Sequence, residues 1–248
     1  MDNELNGKNV LITGGASGIG AACASALAAQ GAHIIVADRD EAAAVRVAET
    51  VGGEPWVVDL LDTDKLEQHR LQVDILINNA GTQTVKPIEQ FDPADFRRML
   101  KLMLEVPFLL IRAALPHMYE QRYGRIINIS SIHGLRASAY KSAYVAAKHG
   151  LQGLSKVTAL EGGEYGVTSN CVNPGYVRTP LVESQIAVQA KTHNIAEDQV
   201  VSDIMLAKNA IKRLVEPEEV ASLVTWLTSS KAAMVTGSSY TMDGGWTA

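Results

Sequence analysis

A short apolar strand, a glycine-rich turn, an alanine-rich helix and a second apolar strand open this chain, and no other feature constrains its fold as strongly. Lys8 to Thr13 reads as the strand, Gly14 to Gly20 as the turn, Ala21 to Gln30 as a helix ended by Gly31, and His33 to Ala37 as the second strand. That length matches the ~30 residues of a parallel βαβ unit. The alternation then repeats. A helix is expected over Glu41 to Thr50, a strand over Trp56 to Val58, a helical stub over Thr63 to His69 and a strand over Val73 to Asn78. Three further strands fit Arg125 to Ile129, Thr168 to Val172 and Ser239 to Met242, with helical stretches between them. Continuous Val and Ile runs alternating with helices predict an α/β fold of Rossmann type: one doubly wound parallel sheet of seven strands, covered by helices on both faces.

The 248 residues suit one domain of this kind, since no repeat, low-complexity tract or Pro/Gly/Ser-rich linker interrupts them. The polar segment from Val182 to Arg213, after a Pro-Gly turn, reads equally well as a lid that closes over a ligand and as a solvated helical pair. The net charge of −5, from 22 basic and 27 acidic residues, argues against a nucleic-acid partner. No apolar run approaches the ~18 to 20 residues of a membrane span, and the polar start lacks a leader pattern. The only two cysteines, Cys23 and Cys171, sit among apolar or small residues as buried thiols, so a reducing cytoplasm is expected. No set of metal ligands stands out.

Gly14, Ser17, Gly18, Ile19 and Gly20 fall between the first strand and first helix. There the free N–H groups and partial positive charge of a helix end suit a pyrophosphate, and glycines allow the backbone to approach it. Asp38 ends the second strand, 18 residues after Gly20. A carboxylate at that place accepts hydrogen bonds from the adenosine ribose and repels a 2′-phosphate, which favours NAD over NADP. The neighbouring Arg39 is the competing feature, and Asp38 is also placed to be an ordinary helix N-cap.

Tyr144 and Lys148 stand four apart in a run of helix formers, so both side chains share a face and the ammonium favours the phenolate. Such a phenol can exchange a proton with a substrate oxygen, as the interconversion of an alcohol and a ketone requires. Together with the glycine turn, Asn78-Asn79-Ala80-Gly81 and Ser130-Ser131, this pattern resembles the short-chain dehydrogenase/reductase family along essentially the whole chain. The resemblance implies that Ser131 binds the substrate oxygen, that Tyr144 is the acid/base, and that Lys148 holds the nicotinamide ribose and tunes Tyr144. It further implies cofactor contacts from Asp59, Leu60, Asn79, Ala80 and Gly81, and from Pro174, Gly175, Val177 and Thr179.

Within that family, the segments 131–135, 141–150, 177–183 and 243–248 resemble the bacterial D-3-hydroxybutyrate dehydrogenases. That likeness implies a substrate carboxylate held by Gln83, His133, Lys141 and Gln185, two potential cations and two amides, with the hydroxyl facing Tyr144. The expected reaction is NAD-dependent interconversion of (R)-3-hydroxybutyrate and acetoacetate, in a homotetramer. Alternatives with the same chemistry are another small hydroxy acid, a diol or a sugar alcohol, and a third is a non-catalytic NAD-binding protein. Three departures stand out. Met103 takes the place where the family commonly has an asparagine that completes a proton relay from the lysine. Only 14 residues separate Asp59 from Asp74, and Tyr176 stands where the hydroxybutyrate enzymes often have Trp.

Overall fold

A computed structural model describes residues 3–248. Seven strands form one sheet: β1 (Asn9–Thr13), β2 (His33–Asp38), β3 (Glu54–Val57), β4 (Ile75–Asn78), β5 (Gly124–Ile129), β6 (Val167–Pro174) and β7 (Ser239–Met242). Every pairing is parallel and the spatial order is β3-β2-β1-β4-β5-β6-β7. The order reverses between β1 and β4, and at such a switch point a crevice opens beyond the carboxyl ends of the strands.

The continuous apolar strands are explained by burial on two faces. Val10, Ile12, Ile34, Val36, Ile75 and Ile77 pack under α1 (Gly18–Ala28) and α9 (Pro217–Thr228), whose Cys23, Leu27, Val220, Val224 and Leu227 are buried against them. The intervening Leu11, Leu76 and Ile126 point the other way, onto Leu109, Leu110, Ala114 and Met118 of α5 (Val106–Gln121). Local signals set the helix ends. Asp40 caps α2 (Glu41–Val51) by accepting from the Ala43 N–H, and Gly52 ends it in the left-handed region. Asp92 caps α4 (Pro93–Leu100), with proline at the first helical position.

The expected stub before β4 is α3, which runs only over Thr63–Glu67, and His69 leaves it to stack on Trp56 of the edge strand β3. Helix α1 starts three residues earlier than the alanine run predicts, because Gly18 and Gly20 are part of its first turn. Between α4 and α5 the chain forms a π turn over Lys101–Glu105, a geometry without a periodicity signal. The polar segment after the Pro-Gly turn is helical: α7 (Pro180–His193), the short α8 (Glu197–Gln199) and a π turn over Val200–Met205. Ile186, Val200, Met205, Leu206 and Leu214 give it a small core of its own. At its far end Arg213 forks onto Glu219 at 2.6 and 2.7 Å, which holds that carboxyl down to about 2.

Candidate active site

A cleft of about 420 Å³ follows the carboxyl ends of the strands across the switch point. At one end the turn after β1 carries Gly14 and Gly18 at positive φ, 61° and 51°, which favours glycine at both positions. Ser17 makes no side-chain cap to α1 and the first turn holds no acidic residue, so the helix end presents its N–H groups to the cleft. The turn is stapled to β4. Thr13 Oγ accepts from the N–H groups of Asn79 (3.0 Å) and Ala80 (3.1 Å), while Asn79 Nδ2 donates to the carbonyls of Thr13 and Gly14. Gly20 does not reach the cleft. Its missing Cβ is what lets α1 lie against the Gly14 carbonyl and Asn79 Nδ2, so its part is close packing, in place of the direct contact expected.

Asp38 faces the same cleft, and its oxygens accept from Ala16 N–H (3.2 Å) and Asp40 N–H (3.1 Å). Asp40 caps the following helix, which removes the N-cap reading of Asp38. The carboxylate is thereby fixed beside the α1 terminus.

At the other end stand Ser131, Tyr144 and Lys148. Tyr144 and Lys148 come from α6 (Ser142–Gly162), and Ser131 from the turn after β5. Lys148 is 4% exposed, its Nζ donates to the Ile129 carbonyl at 2.7 Å, and it lies 5.6 Å from the Tyr144 ring centroid. Burial pulls the Lys148 ammonium down to about 8, and the same desolvation pushes the Tyr144 phenol up, with the Ser131 hydroxyl drawing it partly back. The sequence suggested a phenol lowered by its neighbour. Instead desolvation dominates and favours the neutral form of each group, so the phenol moves above its ordinary value, the ammonium moves below its own, and the two separate.

The four residues of the expected carboxylate site line the same cleft as two hydrogen-bonded pairs. Lys141 Nζ is 3.0 Å from His133 Nε2, Gln185 Nε2 donates to Gln83 Oε1 at 3.1 Å, and the rings of His133 and Tyr144 meet edge to face at 6.1 Å. Gln83 Nε2 is buried without a protein partner. His133 is held down to about 4, first by burial and then by the Lys141 charge, so the expected two cations reduce to one near neutral pH. The imidazole accepts from the ammonium and orients it. Tyr176 lies under Lys141, 5.5 Å from Nζ to the ring centroid, and Trp246 packs edge-on to His133 at 5.9 Å.

The short chain dehydrogenase family profile matches residues 8–190. D-beta-hydroxybutyrate dehydrogenase of Rhizobium meliloti (strain 1021) is 44% identical over 97% of this chain and 99% of its own length. The enzyme of the same name from Cupriavidus necator is 42% identical, over 98% and 99%. This chain belongs to the short-chain dehydrogenases. A solved short chain dehydrogenase/reductase family protein superposes with a TM-score of 0.86 at 32% identity, covering 98% of each chain.

As a short-chain dehydrogenase, the protein is an alcohol dehydrogenase of the nicotinamide-dependent type. Asp59, Leu60, Asn79, Ala80 and Gly81 line the cleft from the β3 and β4 ends, and Pro174, Gly175, Val177 and Thr179 from the β6 end, as the resemblance implies. Several lining residues escaped sequence reasoning, among them Arg98 and Leu102, one turn apart on α4 and the π turn. Their only signal is i, i+4 spacing, which an ordinary surface pair shares. Met103 is 1% exposed and packs with Met99, Ala143 and Ala147, its sulfur against Gly81. It offers the site no donor.

Proposed function

We propose that this dehydrogenase interconverts (R)-3-hydroxybutyrate and acetoacetate with NAD. The observation that carries the reading is that Gln83, His133, Lys141 and Gln185 all line the cleft that holds Tyr144, as two hydrogen-bonded pairs. One cation, its imidazole prop and two amides fit a carboxylate, and Lys141 Nζ with the unpartnered Gln83 Nε2 supplies the donors. Lys148 steadies Tyr144 as a phenolate, Ser131 holds the substrate oxygen, and the phenolate takes the proton of the substrate hydroxyl to become a phenol. When bound, the nicotinamide supplies the hydride acceptor at C3 of the substrate. The Gly14–Gly20 turn, the α1 terminus and Asp38 fit the dinucleotide, and Asp38 favours NAD over NADP through repulsion of a 2′-phosphate.

The reading extends to one dinucleotide-binding domain over 1–248 with residues 182–213 as its lid, and to a homotetramer in the cytoplasm. Exposed Phe108 on α5 and Val157 and Leu160 on α6 support association, and the buried thiols of Cys23 and Cys171 suit a reducing compartment. Among the described residues no helix is long and apolar enough to cross a membrane.

Lys141→Ala tests the substrate claim. KM for 3-hydroxybutyrate is expected to rise roughly 10- to 100-fold, the loss of one charge-assisted hydrogen bond to a carboxylate, while a neutral secondary alcohol is little affected. Equal loss on both substrates, or no turnover of 3-hydroxybutyrate by the unaltered protein, overturns it. Tyr176 favours a second reading, another small hydroxy acid with a further polar substituent, because its phenol faces the cleft beside Lys141.

A further inference from the structure

Helix α6 carries a third side chain in line with Tyr144 and Lys148. Gln152 follows Lys148 by the same four-residue step, and it is only 7% exposed. A glutamine is an unexpected occupant of the core-facing stripe of a helix whose neighbours there are Ala147, Leu151 and Ala159. Its amide is used on both sides. Nε2 donates to Ser130 Oγ at 3.1 Å and to Asn173 Oδ1, and Oε1 accepts from Ser239 Oγ at 2.6 Å. Those three partners belong to the ends of β5 and β6 and the start of β7, so one side chain ties the helix to three strands.

Two of the partners adjoin the reaction site. Ser130 precedes Ser131, and its hydroxyl also donates to the Lys148 carbonyl at 3.4 Å. Asn173, fully buried, precedes the Pro174–Gly175 wall of the cleft. Room for the clamp comes from Gly134, where a Cβ would stand 2.5 Å from Ser130 Oγ and 3.0 Å from Gln152 Nε2. We propose that Gln152 is a positioning residue, a buried clamp that fixes α6 against the carboxyl ends of β5 and β6 and thereby sets Tyr144 and Lys148 relative to Ser131 and the Pro174–Gly175 wall. It touches neither substrate nor cofactor. The proposal rests on Tyr144 being the acid/base, but on no particular substrate.

The test separates positioning from mere stability. Gln152→Leu removes the partner of Ser130, Asn173 and Ser239 together and is expected to lower both the melting temperature and kcat. The double variant Gln152→Leu/Asn173→Leu removes two buried partners together, an exchange that can be nearly neutral for stability. With the clamp absent but the fold restored, kcat on whichever alcohol the unaltered protein oxidises is expected to stay about tenfold or more below it, with cofactor KM within about twofold, since a small misplacement of reacting groups is felt in kcat. Ultraviolet titration of the phenols, taken as the difference from matched Tyr144→Phe proteins and recorded below every variant's unfolding temperature, needs no substrate at all. It is expected to place the Tyr144 ionisation higher in both clamp variants. Recovery of kcat together with melting temperature in the double variant, or an unmoved Tyr144 titration in both variants, overturns the proposal. Failure of the unaltered protein to oxidise 3-hydroxybutyrate overturns only the substrate assignment and leaves the titration to decide this one.

Discussion

Met103 presses a thioether against Gly81, and the cluster it forms with Met99, Ala143 and Ala147 packs against Tyr144. A thioether is a weak acceptor and no donor, so whatever carries protons away from Lys148 does not pass through this side chain. Met103→Asn is expected to raise kcat a few-fold by supplying an amide, at a cost of about 1–3 kcal/mol if that amide is left unsatisfied among Met99, Ala143 and Ala147. Steady-state kinetics and thermal melts check both halves, and a fall in kcat would mean that packing at this position matters more than the donor. His133 supports a second prediction. Held at about 4 in the folded chain against 6.5 for the free group, it is neutral where an unfolded chain would bind a proton. The unfolded state therefore takes up more protons between those values, and stability present above pH 6.5 drains away as pH falls towards 4, by at most about 1.4 kcal/mol per unit for one group. Denaturant unfolding at several pH values should show His133→Gln flattening this slope relative to the unaltered protein. Parallel curves would mean that His133 already titrates normally.

Gly134 links the short turn after β5 to α6. A methyl group there would meet Ser130 Oγ at 2.5 Å and the Lys148 carbonyl at 2.9 Å, and the carbonyl belongs to helix backbone that cannot swing aside. Gly134→Ala is expected to cost about 1–3 kcal/mol as overpacking. At 248 residues that corresponds to roughly 2–12 °C in melting temperature. Calorimetry checks it, and an unchanged melt would show that the turn can give. Contacts of this kind separate what the sequence makes legible from what only packing decides. Elements with their own periodicity or caps could be read: the Val/Ile strands, the glycine turn, the short helix before β4. The π turn at Lys101–Glu105 could not, since its residues keep a helical pattern while the backbone widens by one. The site divides in the same way. Tyr144, Lys148 and the glycines sit in local motifs, whereas Arg98 and Leu102 reach the cleft only because α4 packs beside α6. The neutrality of His133 was beyond the sequence for a different reason: it depends on burial and on Lys141, which a turn brings to 3.0 Å.

Across the whole molecule, a net charge of −5 coexists with a cleft that gathers Lys141 and the N–H groups of a helix end, so the proposed anion sites depend on the local arrangement and not on the total. Backbone N–H groups of α1, Asp38 and Lys141 all meet the cleft. Asp38 is the determinant a thermal shift can read. Both its oxygens are held, by Ala16 N–H and Asp40 N–H, so the carboxylate is not free to swing away from a 2′-phosphate. NAD at about 100 times its Kd is expected to stabilise the fold by about 2.7 kcal/mol, roughly 5–11 °C for a chain of this size. NADP at the same concentration should give a clearly smaller shift. Asp38→Ser removes the repelling charge while keeping a hydroxyl acceptor, and with Arg39 beside it the NADP shift should then approach or exceed that of NAD. If the unaltered protein melts equally late with either nucleotide, Asp38 does not select the cofactor and the NAD assignment fails, whatever the substrate proves to be.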